Sequence, residues 1–234
     1  MRLTGISTAL IFSVCSLIAV ADDRGTQETA DSKSSDAAAP KQARKLPKPK
    51  AADSDAPLPE GWPGGTEPGK IEVKSYPVYR SAVAKAKNTS SAADGVLFFS
   101  LFNHISRKGV EMTAPVVMTY SDSKMIENRK EMGEMSMEFL YQSTKIGETG
   151  KGVGAVQVVD HEPRKFVCIG VQGESDRPSM ASNLVKLRTW LEEHKGEWVA
   201  DGEPRVLGYH GPMTPVNQRL WELQIPVKAV DTKN

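Results

Sequence analysis

Four histidines, His104, His161, His194 and His210, are the side chains of this chain best suited to acid–base work or metal ligation. No two of them, alone or with a cysteine, fall at the HExxH, CxxC or CxxCH spacings that build a metal centre or attach heme covalently. His104 is the candidate iron ligand, because it lies at the margin of a broad apolar helix face. His210, just before Gly211-Pro212, ranks second as a rim residue. His161 falls in an expected turn, where it would be solvated. His194 sits near a helix end, where packing or capping accounts for it. Enzyme signatures are sparse: there is no GxSxG and no phosphate-cradling glycine loop at a strand-to-helix junction. Glu138 or Glu222 could act as the general base of a hydrolase, but neither sits in a recognisable motif and strand glutamates are usually solvated. Cys168, in Phe166-Val167-Cys168-Ile169, reads as a buried strand residue rather than a nucleophile. The nine methionines offer soft ligands, although adaptable packing is their commoner use.

The helix that would carry His104 is predicted from about Ala92 to Lys108 and ends at Gly109. At 100° per residue, Leu97, Phe98, Phe99, Leu101, Phe102 and Ile105 cover an arc of about 200°. A helix packed on one side usually needs an arc of roughly 100° or somewhat more. The surplus leaves two readings: burial between the sheet and another protein element, or a wall for a flat apolar ligand. Asn103 faces away from the centre of the arc.

The rest of the chain positions that helix. Met1–Ala21 reads as a secretory signal, with Arg2 at its start, an apolar run, and Ala19-Val20-Ala21 as the small-x-small cleavage site. The strongly apolar part, Ala9–Ala21, is shorter than the roughly 20 residues a bilayer span requires, so no stable membrane span is expected after cleavage. The chain carries 30 basic and 29 acidic residues, and loss of Arg2 balances them. That balance argues against nucleic acid as a partner, which calls for a basic excess. Loss of Cys15 leaves one thiol, so no internal disulfide is expected and apolar burial must hold the fold. Residues 22–66 are rich in Pro, Ala, Ser and Lys, with Leu46, Leu58 and Trp62 as their large apolar side chains, and are expected to form a disordered linker. An ordered domain is expected over 67–228, followed by a tail over 229–234.

Within the domain, strands are predicted at Ile71–Val73, Val78–Val83, Met112–Tyr120 and Met135–Tyr141, with a polar loop from Ser121 to Glu134. A second set follows in the same order: Val156–Val159, Lys165–Val171, a helix capped by Ser175 or Asp176 with Pro178 in its first turn, then Val206–His210 and Leu220–Val227. The halves are offset by about 85 residues, a duplicated α+β unit.

Three segments carry a family resemblance. Ile71-Glu72-Val73-Lys74-Ser75-Tyr76 is similar to an opening "YEVR-Y" strand. Met112-Thr113-Ala114-Pro115-Val116 matches an "MTAPV" signature. Gly208-Tyr209-His210-Gly211-Pro212-Met213-Thr214-Pro215 with Leu220-Trp221-Glu222-Leu223 is similar to "GY-x-x-P…EVWL". Together they resemble the SOUL heme-binding family over about Glu67 to Lys228. The resemblance implies βαββ-like halves forming a distorted antiparallel β-barrel flanked by two helices. It also implies noncatalytic, non-covalent binding of heme or related porphyrins, and the leader-like Met1–Ala21 adds the expectation of an exported protein, periplasmic or secreted. The cofactor-binding candidates are then Phe98, Leu101, Phe102, Asn103 and His104 of the first helix, and His210, Met213 and Thr214 before the last strand. Phe98 and Phe102 match the family's apolar contacts. The axial histidine that some relatives carry near the first strands has no counterpart between Ile71 and Asn103, and His104 is the candidate metal ligand from its place on the helix. Asn103 and Thr214 stand where vertebrate members place basic residues for the propionates. The alternative is a module for another small apolar ligand or a protein partner, since bacterial effector-binding domains resemble the same duplicated fold.

Overall fold

The computed structural model describes residues 54–87, 91–128 and 133–230. The expected leader, the linker up to residue 53 and the end of the tail lie outside the described residues.

The first half comprises β1 (Ile71–Tyr76), β2 (Tyr79–Ala86), α1 (Ser91–Lys108), β3 (Val116–Tyr120), a short α2 (Lys124–Glu127) and β4 (Met135–Leu140). After a two-residue β5 (Gly150–Lys151), the second half runs β6 (Gln157–His161), β7 (Arg164–Gln172), α3 (Arg177–Glu193), β8 (Trp198–Ala200), β9 (Arg205–Gly208) and β10 (Leu220–Ala229). The caps read from sequence are present. Gly109 ends α1 at φ 64, with Val110 N donating to Ile105 O at 2.9 Å, and the Asp176 carboxylate accepts from Ser179 N at 2.9 Å at the start of α3.

The pairings display the duplication. β1 pairs with β7 as β6 pairs with β2, β4 lies between β3 and β2 as β10 lies between β9 and β7, and β3 pairs with β9 at the centre. All of these are antiparallel. The expected barrel, however, is not closed. The order is β1-β7-β10-β9-β3-β4-β2-β6-β5, and the outer strands do not pair with each other. Two residues, Pro77 and Val78, connect β1 to β2, and Glu162 and Pro163 connect β6 to β7. Two residues reach only about 7 Å, so these links draw opposite ends of the sheet together and curve it strongly. The seam stays open where Trp62 packs against both Tyr76 and Tyr79, with ring centroids 4.7 and 5.0 Å away.

Side-chain alternation sends each strand's residues to two different cores. On the outer face, Met135, Met137 and Phe139 of β4 meet Leu97, Leu101 and Ile105 of α1, in the same cluster as Met180, Leu184 and Leu187 of α3. On the inner face, Tyr76, Tyr79, Leu140, Phe166, Leu207 and Tyr209 form a second cluster. It includes Trp62, so residues 54–66 are not a free linker. This strap is tied by Asp55 N to Tyr209 O at 3.2 Å, Ala114 N to Pro57 O at 3.0 Å, and Glu60 N to Gln142 O at 2.8 Å. It lies so close to β7 that a Cβ at Gly170 would collide with the Thr66 carbonyl. The ordered unit therefore includes at least the dozen or so residues before Glu67, because one buried tryptophan and a row of backbone bonds outweigh the proline-rich composition around them.

Candidate functional site

The expected ligand-binding residues fall into three groups. Leu101 and His104 are enclosed, at 0% and 1% exposure, and belong to the core under α1. Phe98 and Phe102 sit on the flank of the helix, 41% and 48% exposed, with nearly parallel rings 6.4 Å apart. Phe98 also meets Phe139 of β4 edge-on at 5.0 Å. Phe99 and Val96 continue this surface, so the broad apolar arc is buried on one side only. Asn103 is half-buried and accepts from Arg107 Nε at 3.1 Å. Val96, Phe98, Phe99 and Phe102 thus form a contiguous exposed apolar array on one helix rather than scattered surface side chains.

His210, Met213 and Thr214 lie in the loop between β9 and β10. Register links that loop to α1. Phe139 pairs with Val116, Val116 with Gly208, and Gly208 with Trp221. Residues directly opposite point to the same face, so these four form a row under the helices. Gly208 leaves a gap in it: a Cβ there would meet nothing closer than the Val116 carbonyl at 4.0 Å. The loop root thus lies two strand spacings, roughly 10 Å, from Phe139. Met213 stands 94% exposed. Thr214 Oγ1 and Gly211 N both donate to the Asp55 carboxylate, at 3.0 and 2.6 Å, so the strap pins this loop. Neither Asp55 nor the row could be inferred from sequence spacing, since their members lie far apart in the chain.

The histidines are engaged in ways that bear on iron. His104 Nδ1 accepts from Val153 N at 3.1 Å, so its proton sits on Nε2 and is donated to Tyr141 Oη at 2.8 Å. Burial, with Lys108 adding to it, lowers the imidazole pKa and keeps the ring neutral. Both nitrogens are therefore committed, and the ring offers no lone pair to a metal. In this arrangement His104 does not stand free for the iron ligation expected of it. His210 Nδ1 likewise accepts from Leu220 N at 3.0 Å, which places the neutral ring's proton on Nε2, the nitrogen a metal would need. His194 caps α3, stacked on Trp190 at 3.9 Å. Among the described residues no group of three or more His, Cys, Asp or Glu could hold a metal ion. The residues around Phe98 and Phe102 fit a flat apolar macrocycle and do not fit a histidine-ligated iron.

The inner face is different in character. Glu222, 1% exposed, accepts from Lys74 Nζ at 2.8 Å, Thr66 N at 2.5 Å and Tyr209 Oη at 3.1 Å. Arg205 lies 3.6 Å over the Phe166 ring and donates to Gln224 and Tyr79. Burial pushes the Tyr76 and Tyr209 hydroxyls well above their ordinary pKa, and raises the Cys168 thiol, so all three stay neutral. His161, expected to be solvated, instead stacks on Tyr79 at 4.4 Å and bonds Ser81 Oγ at 2.8 Å and Glu138 Oε2 at 3.1 Å. Of these, Tyr79, Glu138, His161, Phe166 and Arg205 border a cleft of about 550 Å³. Glu138 and Glu222 are thus not solvated strand residues. Each sits in a buried hydrogen-bond network assembled from distant strands.

This open, curved sheet with α1 and α3 on its outer face defines an α+β module built of two similar halves. The C-terminal domain of EcmrR matches it with a TM-score of 0.54 at 18% identity, covering 69% of this chain and 98% of that domain. An uncharacterized conserved protein from Listeria innocua matches at 0.51 and 13% identity, covering 69% and 93%. A protein described as a hydrolase from the same organism matches at 0.50 and 12% identity, with the same coverages. At such identities the likeness concerns the fold alone. No curated protein matches the chain. The family model described as SOUL heme-binding protein matches residues 65–226, and the chain belongs to that family. Among the described residues, no helix is long and apolar enough to cross a membrane.

Proposed function

We propose that this protein binds heme or a related tetrapyrrole non-covalently and without catalysis, with the macrocycle lying against Phe98 and Phe102. The observation that carries this reading is the stacked, half-exposed pair on a helix whose other face is already anchored in the core. The gap at Gly208 and the exposed Met213 offer the opposite margin. Because His104 and His210 hold their protons or lone pairs against backbone groups, attraction comes from the ring face rather than from iron. The shared architecture with the EcmrR domain supports the broader class, a binding module for a small apolar ligand. We further propose that it works after export, periplasmic or secreted, on the strength of the leader-like Met1–Ala21.

The test compares hemin with metal-free protoporphyrin, each titrated into the full mature chain and followed by Soret absorbance and porphyrin fluorescence. Both should bind with affinities within about threefold of each other, a difference under 1 kcal/mol. A Phe98→Ala/Phe102→Ala double variant should weaken both by 10-fold or more, while melting close to the wild type because neither ring is enclosed. Unchanged affinity in the double variant would refute this placement, and a strong preference for hemin would restore an axial ligand.

A further inference from the structure

From the inner face we infer a second ligand site, independent of α1, for a small zwitterion of amino-acid size. It is the cleft of about 550 Å³ bordered by Glu138, Arg205, Tyr79, Phe166 and His161, within the size range of small-molecule sites. On β4, Phe139 faces α1 while its neighbour Glu138 faces the other way, so the sheet itself separates this cleft from the proposed tetrapyrrole surface.

Two opposite charges at the cleft are nine-tenths buried, and each is left incompletely used. Glu138 is 7% exposed. Its Oε2 receives Ser81 Oγ at 2.8 Å and His161 Nε2 at 3.1 Å, while Oε1, which is not fully enclosed, accepts no hydrogen bond from the described residues. Arg205 is 5% exposed. Its Nε donates to Gln224 at 2.9 Å and its Nη1 to Tyr79 at 3.1 Å, while Nη2 is buried with no hydrogen-bond partner. A buried donor without an acceptor, as Nη2 is, is costly, and native interiors rarely keep one without a use.

The register fixes how far apart they are. Glu138 is opposite Val117, Val117 is opposite Leu207, and Arg205 is two residues from Leu207 on the same strand. Strand spacing and rise then put the two Cα atoms about 12 Å apart. Two long side chains reaching inward from that separation leave room for one small molecule between their ends. Its ammonium would donate to Glu138 and its carboxylate would accept from Arg205, with Tyr79 and Phe166 supplying an apolar border. A simple cation would meet the unmatched guanidinium, and a simple anion the unmatched carboxylate, so a zwitterion satisfies what either alone leaves open.

The experiment titrates the full mature chain with L-phenylalanine, phenethylamine and 3-phenylpropionate, read by calorimetry and by amide chemical shifts. L-phenylalanine should bind at least 10-fold more tightly than either single-charge analogue. Its shifts should centre on Thr119, His161 and Arg164, the backbone around the cleft, and should leave α1 unmoved. Glu138→Gln should weaken phenylalanine at least 10-fold, and Arg205→Lys should do the same if it folds. Glu138→Gln and the shift map suffice if it does not. No saturable binding of phenylalanine at 50 mM, on the order of the weakest small-ligand affinities, would overturn the assignment. So would equal binding of either analogue, shifts centred on α1, or unchanged affinity in Glu138→Gln.

Discussion

Replacing Trp62 with alanine tests whether the strap before the family-like region is part of the folded unit. Trp62 is 6% exposed. A tryptophan carries roughly 200–250 Å² of surface, so at about 25 cal/mol per Å² its burial contributes roughly 5 kcal/mol, an upper bound because the unfolded chain already buries some of it. The edge-on contacts with Tyr76 and Tyr79 add about 0.5–1.5 kcal/mol each. Against this, the indole Nε1 is buried without a partner, which costs about 1–3 kcal/mol. The net expectation for Trp62→Ala is a loss of about 4 kcal/mol, inside the range for large aromatic truncations. For a domain of 150–250 residues, that lowers Tm by about 8–16 °C. Trp62→Phe separates the two opposing effects. It keeps most of the apolar contact and removes the unmet N–H, so it should stay within about 1 kcal/mol of the wild type. Urea unfolding of both variants, monitored by circular dichroism, provides the measurement. A Trp62→Ala loss below 1 kcal/mol would refute the reasoning and return residues 54–66 to the status of a tether.

Other consequences concern the buried polar groups. Glu222→Gln removes the charge facing Lys74 and should cost about 3–5 kcal/mol, while the double variant Lys74→Met/Glu222→Gln should recover part of it, as a double-mutant cycle would read. His104, held neutral with a lowered pKa, binds fewer protons folded than unfolded. Stability should therefore fall as pH drops below about 6.5, and His104→Gln should flatten that limb in urea titrations at pH 5–8. For Glu138, burial opposes the charge, but His161, Ser81 and Arg205 together hold the carboxyl below its ordinary pKa. Its contribution is present above about 4.5 and is lost as pH falls through the folded value, so Glu138→Gln should soften only the acid end of the stability profile. Gly170→Ala should displace the strap and lower Tm, because the added methyl has no space beside the Thr66 carbonyl.

Much of the frame was legible because periodicity and caps are local. Alternation on β4, Gly109 after α1, and Asp176 with Pro178 before α3 each act over a few residues, and the offset of about 85 survives in the pairing pattern. The short elements β5, β8 and α2 were missed, although Met125 and Ile126 in the supposedly polar loop are both buried and were a usable signal. The strap was hidden because composition averages over a segment, while its docking depends on Trp62 and on backbone bonds to strands distant in sequence. Phe98 and Phe102 were legible as an excess of apolar arc. The commitments of His104 were not, since Tyr141 and Val153 are brought to it by tertiary structure. Nor could spacing join Glu138 on β4 to His161 on β6 and Arg205 on β9.

The contrast between the two faces of the sheet argues that the inner one is not mere filling. Under the helices, the core is aliphatic and aromatic, the arrangement that secures stability at least cost. On the inner face, the same strands enclose Lys74, Glu138, Arg205 and Glu222, although charge pairs buried in this way contribute less than apolar side chains of equal volume would. Stability alone therefore does not explain the choice of residues. Among the described residues, three of the four buried side-chain polar atoms without partners, on Trp62, Thr66 and Arg205, belong to this face or to the strap across it. Unmet hydrogen-bonding capacity is thus concentrated where the sheet curves inward and remains open. A sheet needed only to hold α1 in place would have no reason to keep its polar groups there.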